Sequence, residues 1–131
     1  MSVIVTDQGF AQDDTRFTPL DEWSGEGGID LPNTADAVEV FEAVRRAPAI
    51  RVPFPSFADG RGFSIARRLR QLGYGGRLRA QGHVLADQYP HARRVGFDEV
   101  EISDDLAARQ PVEHWPLDRA ESYQERLGTA A

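Results

Sequence analysis

The chain of 131 residues contains no cysteine and no lysine. The absence of cysteine excludes disulfide bonds, thiolate nucleophiles, cysteine-ligated zinc, iron–sulfur clusters and covalently attached c-type haem. Because all 15 basic residues are arginine, Schiff-base chemistry, a phosphate-loop lysine and a lysine general base are excluded as well. Long hydrophobic runs are also missing, so we expect neither a signal peptide nor a membrane span, and we expect a cytoplasmic protein.

The residues that are present suit one folded domain. Hydrophobic residues make up 40% of the chain and charged residues 27%, a balance that is typical of globular proteins of this length. We therefore predict a single α/β domain over residues 1–131. Within it, residues 1–30 form an acidic, weakly patterned segment and residues 31–127 form the globular core.

The net charge of −6 conceals three blocks of alternating sign. Residues 1–44 carry ten acidic side chains and one arginine, residues 45–94 carry eleven arginines and two acidic side chains, and residues 95–131 carry nine acidic side chains and three arginines. Either the basic block binds an anion or an acidic partner, or the acidic blocks fold against it. Because no aromatic residues interleave the arginines and the flanking blocks are acidic, we expect no nucleic-acid partner.

Strand and helix patterns alternate after residue 31. Strands are predicted over residues 50–54, 77–80 and 100–102, and helices over about 37–47, 63–72, 84–95, from 104, and over 117–127. Such an order predicts a mainly parallel sheet of three to five strands with crossover helices, either a part-barrel or an open Rossmann-like sheet. Asn33 or Thr34 is expected to cap the first helix, and Pro53 indicates an edge strand or a bulge. We also expect a homodimer that covers the open sheet edges.

In such a fold, ligand-binding residues gather where the strands end and the helices begin. The loop Asp59-Gly60-Arg61-Gly62 can hold an oxyanion on its amides and on Arg61, although the same residues suit a tight turn closed by an Asp59–Arg61 pair. His83 near Asp87 either works in acid–base chemistry or is an ordinary surface histidine. No metal site and no specific catalytic residue is predicted, since the three histidines lack metal-ligand spacing. The ligand-binding candidates are Asp59, Gly60, Arg61, Gly62, Arg79, Gln81, His83, Asp87 and Gln88.

An ordered series of motifs spans about residues 54–98. It comprises Phe54-Pro55-Ser56-Phe57-Ala58-Asp59-Gly60-Arg61-Gly62, Leu69-Arg70, Gly73-Tyr74, Leu78-Arg79-Ala80, Asp87-Gln88 and Gly96-Phe97-Asp98. The series resembles the bacterial family of unknown function catalogued as DUF934. Members of that family are described as oxidoreductases that take part in sulfite reduction, so the resemblance implies a role in that pathway. The family usually carries a cysteine before the last motif, and this chain has Val95 there.

Sulfite reduction itself uses a sirohaem and an iron–sulfur centre, and this chain has few residues that could hold redox metals. The resemblance therefore implies an accessory or coupling protein that binds sulfite reductase or its electron donor. Two alternatives stay open. One is a small oxidoreductase or an anion- or nucleotide-binding enzyme of the same pathway, and the other is a non-catalytic domain for anion sensing or scaffolding. The cofactor is unknown at this stage.

Overall fold

A computed structural model of the protein describes residues 2–117. In this part of the chain, one sheet is surrounded by short helices. The strands are β1 (Ser2–Thr6), β2 (Gly9–Ala11), β3 (Phe17–Pro19), β4 (Gly28–Asp30), β5 (Ala49–Phe54), β6 (Arg77–Gly82) and β7 (Glu99–Ser103). The α-helices are α1 (Ala37–Val44), α2 (Arg61–Gln71), α3 (Tyr89–Val95) and α4 (Asp104–Arg109). Three short 3₁₀ helices lie at Leu20–Glu22, Ala86–Gln88 and Val112–His114. The helix predicted over residues 117–127 falls almost entirely outside the described residues.

Within residues 2–117, the sheet has seven strands in the order β2-β1-β7-β6-β5-β4-β3. The strands from β3 to β7 are parallel, and each pairs with its successor in sequence. β1 joins the sheet antiparallel to β7, and β2 pairs with the free edge of β1. Because α1, α2 and α3 each cross over to the next strand in the same direction, right-handed connections place all three on one face.

The α/β class and the mainly parallel sheet are as predicted, but the sheet has more strands than the predicted three to five. The additional strands come from residues 2–30, where the sequence shows little patterning. Three of these strands, β2, β3 and β4, have three residues each. Such strands are too short for a period of two to be recognised, and pairing with longer neighbours fixes their conformation instead.

Two local expectations are wrong. Asp36 caps α1, because its carboxylate accepts hydrogen bonds from the amides of Val38 and Glu39 at 3.0 and 3.3 Å. Pro53 lies in the interior strand β5 without a bulge. In a parallel strand, the backbone groups of every second residue point to the same neighbouring strand. The carbonyl of Arg51 accepts a hydrogen bond from the amide of Leu31, just after β4, so Arg51 and Pro53 both point to the β4 side. The nitrogen of Pro53 therefore faces the side where β4 has already ended, so no ladder hydrogen bond is lost.

One face of the sheet packs against the helices and forms the hydrophobic core. Ile65, Ala66 and Leu69 of α2 are buried against it, in agreement with the apolar stripe of the predicted helix. None of the helices of residues 2–117 combines the length and the apolar character that crossing a membrane requires. The strand residues of this core are Val5, Ile29, Ile50, Val52, Phe54, Leu78, Ala80, Val100 and Ile102.

The opposite face of the sheet is charged. Arg79 of β6 has only 2% of its surface exposed, and its guanidinium donates to Glu99 at 2.5 Å, to Glu101 at 2.9 Å and to Asp13. The other members of this charge network are Asp30, Arg51 and Arg77. Burial of so many charges is tolerated only where each has a partner of opposite charge. The carboxylates of Glu99 and Glu101 on β7, of Asp30 on β4 and of Asp13 are these partners for the arginines of β5 and β6.

The link between β2 and β3 shows that the sheet curls around this charge network. The two strands are at opposite edges, yet the six steps from Ala11 to Phe17 can span at most about 22 Å, whereas a flat sheet of this size is about 29 Å wide. The link crosses the charged face, where Thr15 and Asp13 accept hydrogen bonds from Arg77 at 2.6 and 3.5 Å. The Phe17 ring then covers the guanidinium groups of Arg51 and Arg79, 4.5 and 4.9 Å away. The charged face is therefore the concave face of the sheet.

Replacing Arg79 with methionine should lower the free energy of unfolding by about 3–5 kcal/mol, because Glu99 and Glu101 would then be buried without a full set of partners. Urea denaturation at pH 7 measures the change. Arg67→Met on the exposed surface of α2 is the matched control and should alter stability by less than about 0.5 kcal/mol. Equal effects of the two substitutions would contradict a stabilising role for the charge network.

The carboxylates of the charge network should also make stability depend on pH. Burial opposes ionisation of Asp13 and Glu101, but hydrogen bonds outweigh it and lower the pKa of both groups. Thr15 and Arg79 donate to Asp13, and Ser2, Arg79 and Arg51 donate to Glu101. A carboxylate whose pKa is lower in the folded than in the unfolded state increases the free energy of unfolding. This contribution is complete above the ordinary pKa, which is 3.8 for Asp13 and 4.5 for Glu101, and it is lost as the pH falls through the lower pKa of the folded state.

We therefore expect the free energy of unfolding to change little between about pH 7 and 5.5 on account of these two groups, and to decline below about pH 4. Denaturant titrations across that range measure the slope. In Glu101→Gln the decline should be shallower, because one proton fewer is taken up on unfolding. A decline as steep as that of the unmodified protein would show that Glu101 does not contribute to it.

Candidate functional site

Two adjoining clefts open at the carboxyl end of the parallel strands. The larger has a volume of about 850 Å³ and lies beside the ends of β3, β4 and β5 and the start of α1. The smaller, of about 450 Å³, lies beside the ends of β6 and β7 and against α4. Gln81 of β6 lines both, so we treat the two clefts together as one candidate site and name it the mouth. Its position agrees with the strand-end layer that the fold predicts for ligands.

Arg51 and Glu101 form the floor of the mouth. The guanidinium of Arg51 donates to both carboxylate oxygens of Asp30, at 2.6 and 2.9 Å, and to Glu101 at 3.0 Å. The hydrogen bonds to Asp30 and then those to Glu101 raise the pKa of Arg51, despite its partial burial. Arg51 is thus a fixed cation whose charge is already balanced by two carboxylates.

Polar groups that a ligand could use lie above this floor. The side-chain amide of Gln81 makes no hydrogen bond within residues 2–117, so both its oxygen and its nitrogen are available. Nδ1 of His83 lies 3.3 Å from the carbonyl oxygen of Phe54, a contact that favours the tautomer with hydrogen on Nδ1 and leaves Nε2 as an acceptor. The ring of Phe57 stands at right angles to the His83 ring, 5.1 Å away.

The loop predicted to hold an oxyanion is occupied by its own carboxylate. Asp59 accepts the backbone amide of Arg61 at 3.1 Å and two guanidinium hydrogen bonds from the same residue at 3.1 and 2.7 Å. Asn33 donates to Asp59 as well, at 3.0 Å. The side chain of Arg61 and then its amide lower the pKa of Asp59 to about 2. Binding of an oxyanion at this loop stays a prediction, and the geometry corresponds to the tight turn given as its alternative.

The two glycines of this loop have different surroundings. A Cβ atom on Gly62 would lie 2.5 Å from the Phe54 ring, so a side chain there would disturb the core. A Cβ on Gly60 would approach nothing closer than 3.8 Å, on Phe63. Gly62 is therefore explained by packing, whereas Gly60 tolerates a side chain without steric conflict.

The remaining candidates are spread over three environments. Asp87 lines a separate cleft beside Glu113 and His114, whereas His83 lines the mouth, so the structure does not pair them. Gln88 ties two loops together, since it accepts from the amide of Leu85 at 2.8 Å and donates to the carbonyl of Phe57 at 3.3 Å. Arg79 lies below the mouth in the charge network. Of the predicted residues, the structure brings Gln81 and His83 together in the mouth, with Arg79 beneath them.

Sequence reasoning missed Arg51, Asp30 and Glu101. Their signal is the alternation of charged and apolar residues in Ile29-Asp30-Leu31, Ile50-Arg51-Val52 and Val100-Glu101-Ile102, which marks one charged face across neighbouring strands. Which charges meet depends on the register of the strands. Arg79 lies opposite Glu99 of β7 and opposite Arg51 of β5, and Gln81 lies opposite Glu101. Within residues 2–117, no group of three or more histidine and acidic side chains has the arrangement of a metal site.

Residues 28–131 match the family described as "Bacterial protein of unknown function (DUF934)". The chain belongs to this family. The match begins at the first residue of β4 and includes every parallel strand from there to β7 and most of the residues that line the mouth, but not Ser2 or residues 19–21. Comparison with curated proteins and with solved structures gives no match.

Replacing Asp59 with asparagine should increase binding of sulfate, sulfite and phosphate at this loop by about two- to fivefold, because the anion no longer competes with a carboxylate for Arg61. Isothermal titration calorimetry measures the affinity. The double variant Asp59→Asn/Arg61→Ala is the control and should lose the increase. Equal affinities of Asp59→Asn and the unmodified protein would remove this loop as an oxyanion site.

Proposed function

We propose that this protein is an accessory protein of assimilatory sulfite reduction that binds sulfite reductase or its electron donor. Membership of the DUF934 family carries the proposal, through the role in sulfite reduction that the motifs of residues 54–98 imply. A coupling role needs no redox group on this chain, which agrees with a sequence that has no cysteine.

The exposed side of α2 is the surface that we assign to this partner. Arg67 and Arg68 are exposed there, and within residues 2–117 the side chain of Arg68 makes a single hydrogen bond, to Gln71 at 3.3 Å. Arg70 is different, because it donates to the carbonyls of Gly96, Tyr74 and Gly76 and to Asp98, and so belongs to the fold. The docking surface is thus Arg67 and Arg68, and its charge favours an acidic patch on the partner.

Growth of a deletion strain tests the pathway. We expect the strain to grow on cysteine and to fail, or to grow slowly, on sulfate as sole sulfur source. A plasmid copy of the gene should restore growth on sulfate. Equal growth of the deletion strain on both sources would rule out a role in sulfite reduction.

Charge reversal tests the docking surface. Arg67→Glu/Arg68→Glu should weaken capture of sulfite reductase or its electron donor by about tenfold at low salt, and raising the salt should weaken capture by the unmodified protein. Arg109→Glu is the matched control, since Arg109 is also an exposed helical arginine, but on α4. Loss of capture in the control variant alone would assign docking to the other side of the molecule.

The mouth supports a second candidate, a small oxidoreductase or an anion- or nucleotide-binding enzyme of the same pathway. The observation in its favour is the unengaged amide of Gln81 next to His83 in an open cleft. A flavin or nucleotide that co-purifies, detected by absorbance, would support it, whereas ligand binding without turnover would favour the anion-sensing alternative. A cytoplasmic location and a homodimer also stay predictions, and light scattering measures the latter.

A further inference from the structure

The larger cleft of the mouth combines apolar walls with acidic side chains. Leu20, Leu31, Pro32, Val40 and Pro53 line it with apolar surface. Asp21, Asp36 and Glu39 line it from two different segments, the 3₁₀ helix after β3 and the start of α1. At about 850 Å³ the cleft falls within the range of about 300–1,000 Å³ that small organic ligands occupy.

The charge of this cleft is negative and is not balanced from within. Arg51 is the only arginine among its lining residues, and Asp30 and Glu101 already pair with it. The carboxylates of Asp21 and Glu39 make no hydrogen bond or ion pair to any part of residues 2–117. Glu39 lies in the first turn of α1 and Asp21 in the first turn of the 3₁₀ helix Leu20–Glu22, where negative charge is favourable, but within residues 2–117 neither carboxylate accepts a hydrogen bond there.

We propose that the larger cleft binds an organic cation, a molecule with an apolar body and an ammonium or guanidinium end. The apolar walls take the body, and Asp21 and Glu39 attract the positive end. A bare metal ion fits less well, because apolar side chains supply no ligands and the acidic groups of the described residues are not arranged around a metal. The free amide of Gln81 at the inner side of the cleft can accept a hydrogen bond from the same ligand.

Binding of an organic cation does not depend on a role in sulfite reduction, because the cleft and the docking surface on α2 share no residue. A second copy of this chain is the competing occupant, since Arg67 and Arg68 are exposed guanidinium groups. Such a contact would join two different surfaces and would make association depend on protein concentration. The two occupants are therefore distinguishable.

Three probes with the same apolar body and different charge test the proposal on the full chain. They are 4-phenylbutylammonium, 4-phenylbutan-1-ol and 5-phenylpentanoate, with binding followed by calorimetry and by amide chemical shifts. We expect the ammonium to bind most tightly and the carboxylate least. Amide shifts should concentrate in residues 19–40, and higher salt should weaken binding of the ammonium only.

Substitutions then test which carboxylates attract the positive end of the ligand. Asp21→Asn and Glu39→Gln should each weaken binding of the ammonium by about two- to fivefold and leave binding of the alcohol unchanged. Glu42→Gln is the control, because Glu42 is an exposed residue of the same helix that does not line the cleft. Urea denaturation of each variant establishes that it is folded.

Three outcomes would overturn the proposal. The first is equal affinity for the ammonium and the alcohol, which would leave the carboxylates without a role. The second is tightest binding of the carboxylate, which would reverse the sign of the site. The third is a dimer that Glu39→Gln and Arg67→Glu both dissociate, which would make a second copy the occupant.

Discussion

The burial of Arg79 is the constraint on which the rest of the structure depends. A guanidinium with almost no contact with water needs partners on several sides, and carboxylates from both ends of the described chain reach it: Asp13 before the parallel strands and Glu99 and Glu101 in the last of them. Asp13 can do so only if its segment crosses the inside of the sheet. The curvature of the sheet, the path of residues 12–16 and the polar character of the interior are therefore consequences of one buried cation.

The same constraint determines what the mouth offers to a ligand. Glu101 accepts hydrogen bonds from both Arg79 and Arg51, so the interior network continues without interruption into the floor of the mouth. The charges of Arg51 and Glu101 in this floor balance each other. The charge of each cleft therefore depends on the residues that surround the floor. Acidic residues line the larger cleft, whereas Arg67 and Arg68 are exposed on α2. The negative and positive charges that are free of the interior network thus lie on different elements of the fold.

Local pattern was sufficient to predict β5, β6 and β7, because each strand has five or six residues, and to predict a helix after each of them. The start of α3 was wrong: the helix begins at Tyr89, after the 3₁₀ helix Ala86–Gln88, and not at residue 84, because Pro90 is tolerated only in the first turn. It was insufficient for β2, β3 and β4, whose conformation depends on neighbours distant in sequence. The position of Gln81 and His83 beside the mouth could be predicted, because they lie at the carboxyl end of β6. Arg51 and Glu101 could not, because their pairing depends on register across strands. The pairing of His83 with Asp87, one of the two interpretations of that histidine, does not form, because Asp87 belongs to a 3₁₀ helix that lines a different cleft.

The pairing of β1 with β7 has a consequence for how the chain acquires its fold. Ser2 bonds to Glu101 across a sequence separation of 99 residues, so the β1–β2 hairpin emerges during synthesis long before the strand that receives it. Contacts so distant in sequence form slowly, and the parallel strands can assemble first. Until the hairpin docks, Arg79 lacks Asp13, and Arg93 lacks Asp7, which it contacts at 2.8 Å. Attraction between the acidic first block and these arginines favours docking of the hairpin.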